Sequence, residues 1–259
     1  MKSCFIILIS LLSTYTIAQP KDETKVTIDA NNITYQGYLS AKANEKVYNL
    51  YNQSKTKPTW FSIKSKGGEI GLGMDLAEWI YKNKLNVKIV DYCFSSCANY
   101  ILPAGRQLVL EKAAIFGFHG SVNSKDNDFD KDFSGLDEYI NTLPEKDRIL
   151  TKEKVLKQFQ ADLIRDRKRE INLYKKLGVS PQLPLLGQQE KYQLSLKNYL
   201  GKDNLEEKDQ YEGWYYSLSD LKSLGVTNIT VIDPPWAPAE NIKKFKLLRL
   251  YIKEGELRP

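Results

Sequence analysis

Histidine is almost absent: among 259 residues one, His119, carries an imidazole. That excludes a zinc site built from several histidines and any His-rich metal tract. Whatever chemistry histidine performs here falls to His119. Cysteine is scarce as well, with three residues in the chain. Two of them, Cys93 and Cys97, are spaced too widely for a Cys-x-x-Cys redox motif, and two thiols without further ligands make a poor zinc site. No strong excess of one charge exists either: 38 basic residues face 32 acidic ones, and the net +6 is spread along the chain. Such a balance predicts no nucleic-acid groove. Beyond the first residues there is no apolar run long enough to span a bilayer.

What is present fits an ordinary globular protein. A hydrophobic share of 42% with 27% charged residues is too apolar for a disordered chain, and the length suffices for one large domain with an ample core. The N-terminus, MKSCFIILISLLSTYTIAQP, places one lysine before a short apolar run and then small and polar residues. That is the order of a secretory signal peptide. We expect residues 1–18 to be a signal, removed after Ala18 together with Cys4, and residues 19–259 to form a single exported domain, periplasmic or secreted. In an oxidising compartment Cys93 and Cys97 can pair; the alternative is two small buried side chains.

Strand-like and helix-like segments alternate from Asn32 to His119. Strands are expected at 33–38, 59–65, 87–90, 107–110 and 114–118, and helices at 44–53 and from about Leu72 to Ile80, where leucine and isoleucine recur at four-residue steps. This alternation predicts an α/β fold of repeated β-α-β units around a parallel sheet. Residues 121–215 read as a helical insertion region. It opens on a polar, acidic loop and continues as a long helix over 147–177, with Leu156, Phe159, Leu163 and Tyr174 among its apolar positions, and stops at Gly178. A helix at 218–224 and a strand at 226–232 restore the earlier pattern, and the prolines at 234, 235 and 238 punctuate what reads as a basic C-terminal tail over 234–259.

Three segments carry residues suited to chemistry: Ser65-Lys66-Gly67-Gly68, Cys93-Phe94-Ser95-Ser96-Cys97 and Gly117-Phe118-His119-Gly120. Each follows a predicted strand, where open α/β sheets place their sites. A serine that ends a strand and opens a helix lies near exposed N–H groups, which suits an attacking oxygen. It needs a base, and the one histidine follows after two short predicted strands, read as a hairpin. A glycine pair at a strand-to-helix turn can aim an N–H at a developing oxyanion.

The span from about Ile33 to His119 resembles the Clp protease proteolytic subunit and its relatives in the Clp/crotonase superfamily, especially small exported members. The resemblance is carried by SKGG, by SSCANYILPAG and by FGFHG, and extends weakly to SLSDLKSLGV at 217–226. It implies a Clp/crotonase-like fold with a long helix after the catalytic histidine. It also implies peptide-bond hydrolysis without metal or organic cofactor, a peptide or protein substrate, and self-assembly into a homo-oligomer. Aligned on Ala104-Gly105, it puts the nucleophile on Ser96, the base on His119, and the oxyanion donors on the N–H groups of Gly68 and Cys97. At the position of the family's triad aspartate the chain has Gly213, so Glu212, or Asp209, is the candidate third member. Losing an orienting carboxylate can cost several orders of magnitude in rate. The alternative reading is therefore a catalytically inactive binding or assembly protein that keeps the fold. The acidic run Asp126, Asp128, Asp130, Asp132 has Lys131 where a calcium loop needs glycine, and reads as a solvated loop.

Overall fold

The computed structural model describes residues 24–124, 140–189, 192 and 213–252. The proposed signal, the acidic loop, Asp209 and Glu212 lie outside the described residues.

Within them the chain forms an α/β fold of the expected kind. Strand β1 (Lys25–Asp29) pairs antiparallel with β2 (Asn32–Gln36), and every later pairing of the main sheet is parallel. Helix α1 (Ala41–Gln53) leads to β3 (Trp60–Ser65), and α2 (Ile70–Lys82) to β4 (Asn86–Phe94). The Ser40 side chain caps α1 by accepting the Ala43 N–H at 3.3 Å, and Ala43 and Val47 turn inward. Met74, Leu76, Ala77 and Ile80 bury one face of α2, which is why its four-residue spacing was visible in the sequence.

After β4 come a π-helix (Cys97–Ile101), the short α3 (Leu102–Ala104), β5 (Leu108–Leu110) and β6 (Ile115–Gly117). The expected hairpin between the last two strands does not form. Both pair parallel with β4, one after the other along its length: Val87–Ile89 with β5, and Tyr92–Phe94 with β6. The reason is a bulge. Between the pairs Ile63↔Ile89 and Ser65↔Cys93, β4 spends four residues against two of β3, with Asp91 at φ +70°. Bulges bend a strand and re-aim it. Lys64 holds this one through a 2.6 Å ion pair to Asp91, and Asn241 donates to Asp91 Oδ1 at 2.9 Å.

The long helix is α4 (Glu145–Leu177), ending at Gly178 in the left-handed region, φ +69°. Of its residues Glu170, Leu173 and Tyr174 are buried; Phe159, one of the apolar positions of the sequence pattern, is exposed, as are Ile149, Leu150 and Ile164. Beyond it come β7 (Gly213–Tyr216), α5 (Leu218–Ser223) and β8 (Ile229–Val231), which joins the main sheet beside β5. The segment read as a basic tail is folded through Leu250. It forms α6 (Ala239–Lys244) and β9 (Leu247–Leu250), which pairs parallel with β7. Leu247, Leu248 and Leu250 are buried. Trp236, just past the prolines, donates its indole N–H to Ala114 O at 2.7 Å and stacks on Phe116.

Candidate functional site

The C-terminal ends of three neighbouring parallel strands, β3, β4 and β6, lie at one edge of the sheet. The first is the turn after β3. Ser65 Oγ accepts the Gly67 N–H at 3.0 Å, and Gly67 stands at φ +96°. A Cβ there would lie 2.7 Å from Phe94 O and 2.8 Å from Ser95 Cβ. Glycine is therefore required by contact as well as by conformation, because this turn lies directly against the serine turn. The Gly68 N–H meets no acceptor among the described residues.

The second is the turn after β4. Ser95 has φ +53°, which a side-chain-bearing residue rarely adopts. Its N–H donates to Gly117 O at 3.1 Å, so the turn is fastened to β6. Ser96 is 2% exposed, and its Oγ donates to Gly68 O at 2.8 Å. A disulfide joins Cys93 and Cys97, with Cα atoms 5.3 Å apart, and brackets both serines. Cys97 opens the π-helix, so its N–H has no intrahelical acceptor.

The third is the end of β6. Phe118 exchanges both backbone hydrogen bonds with Trp214, each 2.8 Å, which docks the small β7–β9 sheet here. His119 follows and is solvent-exposed. Its neighbours still strip part of the water from the ring, and this desolvation holds the pKa below the ordinary 6.5. An imidazole held neutral is poised as a base. Among the described residues no side chain hydrogen-bonds to the ring, and Ser96 gives its proton to Gly68 O, not to His119.

Glu170 was missed. In the sequence it sits within the charged run RDRKRE, whose alternating signs suggest a solvated helix face, yet it shares a face of α4 with buried Leu173 and Tyr174 and is itself buried. That spacing was the available signal. Its carboxylate accepts from Tyr100 OH at 2.6 Å, Ser121 Oγ at 2.9 Å and the Asn123 amide. Tyr100 belongs to the π-helix that follows the serines, whereas Ser121 and Asn123 follow His119. Asn99 adds a bond from its amide to Gly120 O, 2.9 Å, and Tyr174 OH donates to Asn99 O at 3.0 Å. One helix thus clamps the serine-bearing and histidine-bearing segments together. Burial outweighs the three hydrogen bonds and raises the Glu170 pKa.

Gly213 begins β7 beside His119: a Cβ built on it would lie 3.5 Å from His119 Cβ. Gly213 has no side chain there, and a Cβ would also lie 2.3 Å from Phe118 O. Among the described residues no group of three or more His, Cys, Asp or Glu side chains could hold a metal ion, and no helix is long and apolar enough to cross a membrane.

No protein-family model matches the chain. No curated protein matches it either. Over 37% of its length it is similar to the crystal structure of an enoyl-CoA hydratase from Bacillus anthracis, at 9% identity, 50% coverage of that chain and a TM-score of 0.29. Over 38% it is similar to an enoyl-CoA hydratase from Mycobacterium avium subsp. paratuberculosis K-10, at 12% identity, 51% coverage and a TM-score of 0.30. The chain spans about half the length of these structures. Likenesses this slight carry no argument, and the functional reading rests on this chain's own geometry.

Proposed function

We propose that the protein is an exported serine hydrolase of Clp/crotonase type that cleaves peptide bonds. The observation that carries this reading is the convergence of the two-serine turn, the unengaged Gly68 N–H and the chain's one histidine at neighbouring strand ends. A serine hydroxyl of the 95–96 pair attacks the carbonyl carbon, His119 takes its proton, and backbone N–H groups at Gly68 and at the start of the π-helix receive the oxyanion. The imidazolium then protonates the departing amine, and water, activated by the same ring, releases the acyl group.

Gly213, next to the His119 Cβ, supplies no acid, so the orienting carboxylate is assigned to Glu212 or Asp209, or the site works as a dyad. A dyad runs about three to four orders of magnitude below a full triad. The same glycine favours a second reading, a non-catalytic binding protein on this fold. Incubation of purified protein with fluorogenic peptides and a fluorophosphonate separates them. The hydrolase reading expects turnover that is lost irreversibly as one phosphonyl adduct forms per chain; neither turnover nor adduct leaves the binder. Export is tested by N-terminal sequencing of the mature protein, which should begin at Gln19.

A further inference from the structure

We infer that the nucleophile is Ser95 and not Ser96. The inference rests on the hydrolase reading above and says which hydroxyl performs it.

The two serines are adjacent but meet different surroundings. Ser96 is 2% exposed. Its Cβ faces α2, since a Cβ on Gly73 would stand 3.0 Å from it, and its proton is committed to Gly68 O at 2.8 Å. To attack a substrate it would have to break that bond inside the packing of α2 and the π-helix. Ser95 is only partly buried, and its hydroxyl has no hydrogen-bond partner among the described residues. Its backbone is held at φ +53°, a conformation that persists only where the surroundings impose it and that collects at functional sites. The imposing contacts are visible: Ser95 N–H bonds to Gly117 O, Asn99 N–H bonds to Ser95 O at 2.7 Å, the Cys93–Cys97 disulfide spans the turn, and Gly67 yields the space a side chain would fill. The bond to Gly117 also sets Ser95 beside the strand that reaches His119 two residues later.

The helix explains why counting residues selects the neighbour. Counted as ordinary α-helical turns, the alignment on Ala104 reaches Ser96, eight positions back. Residues Cys97–Ile101 form a π turn, in which Leu102 N–H reaches back to Cys97 O. A π turn takes one residue more than an α turn, and nine positions back from Ala104 is Ser95. Ser96 then follows the nucleophile, and its N–H, free of any backbone acceptor among the described residues, joins Gly68 N–H on the oxyanion side.

In the step assigned to it, Ser95 Oγ bonds to the acyl carbon as its proton moves to His119. The carbon–nitrogen bond then breaks, and the amine leaves with that proton. With a fluorophosphonate the oxygen bonds to phosphorus and fluoride leaves. The test is peptide mapping by mass spectrometry of phosphonylated wild-type protein, with labelling rates for Ser95→Gly and Ser96→Ala. Glycine is chosen at 95 because it accepts φ +53° without strain and keeps the turn; circular dichroism and melting temperature verify both folds. The expected result is an adduct on Ser95 in wild type, at least about a thousandfold slower labelling of Ser95→Gly, and an adduct that stays on Ser95 in Ser96→Ala, whose main chain keeps its N–H. An adduct on Ser96, with Ser95→Gly still labelled, overturns the inference and leaves the hydrolase reading standing. No adduct on wild type, or one elsewhere, overturns both.

Discussion

Gly213 packs against the peptide that carries His119: a Cβ on it would lie 2.3 Å from Phe118 O and 3.5 Å from His119 Cβ. The site of an orienting acid is thus filled by the main-chain pairing of Phe118 with Trp214, and a carboxylate cannot be restored there. We predict that Gly213→Asp lowers stability by about 2 kcal/mol or more through overpacking, and does not raise the labelling rate. Thermal melts and labelling rates of that variant and of Gly213→Ala check this. A stable and faster Gly213→Asp would mean that β7 yields to the side chain.

Glu170 contributes through three hydrogen bonds, from Tyr100, Ser121 and Asn123. Glu170→Ala leaves those groups without their acceptor and should cost about 3 kcal/mol or more. The pH dependence has a definite sign. Burial raises the folded-state pKa above the ordinary 4.5, so the unpenalised stability is present below pH 4.5 and falls as pH rises through the raised value. Glu170→Gln has no proton to lose and should lack this slope. Urea unfolding of both proteins between about pH 4 and 7 compares them.

Catalysis should need neutral His119. Loss of water around the ring holds its pKa below 6.5, so activity rises with pH to a plateau, with its midpoint on the acid side of 6.5. The kcat/KM profile for a fluorogenic peptide reads that midpoint directly. A midpoint above 6.5 would require an acid paired with the ring.

How much of this was legible beforehand depends on the range of the interactions. Ser40, the glycine pair and the four-residue spacing in α2 act locally, and the β-α-β pattern follows from them. The partner exchange along β4 was not legible, because it depends on a bulge held by Lys64 and Asn241, the latter 150 residues away from Asp91. The tail was misread for a similar reason: prolines mark its turns, but the pairing of Leu247–Leu250 with β7 is a tertiary event. The three chemical segments were found because each is short and follows a strand. Which serine is accessible was not, since a π turn leaves no simple mark in sequence. Glu170 looked solvated because its partners come from distant segments.

The Cys93–Cys97 disulfide joins residues only four positions apart, so the chain-entropy relation gives about 2 kcal/mol. Its larger effect should be local, because it brackets the serine turn. The Cys93→Ala, Cys97→Ala double variant is expected to melt a few degrees lower and to label more slowly than this small loss of stability explains. Unchanged labelling would show that the turn is held without it.

In the proposed hydrolase a serine at this turn is activated by the chain's one imidazole. The second-order rate of fluorophosphonate labelling, followed by intact mass, reads that activation in wild type and His119→Ala. One adduct is expected on wild type, with a rate at least about a thousandfold lower in the variant. Equal rates in a folded His119→Ala protein would contradict that activation, for no second histidine exists to take over.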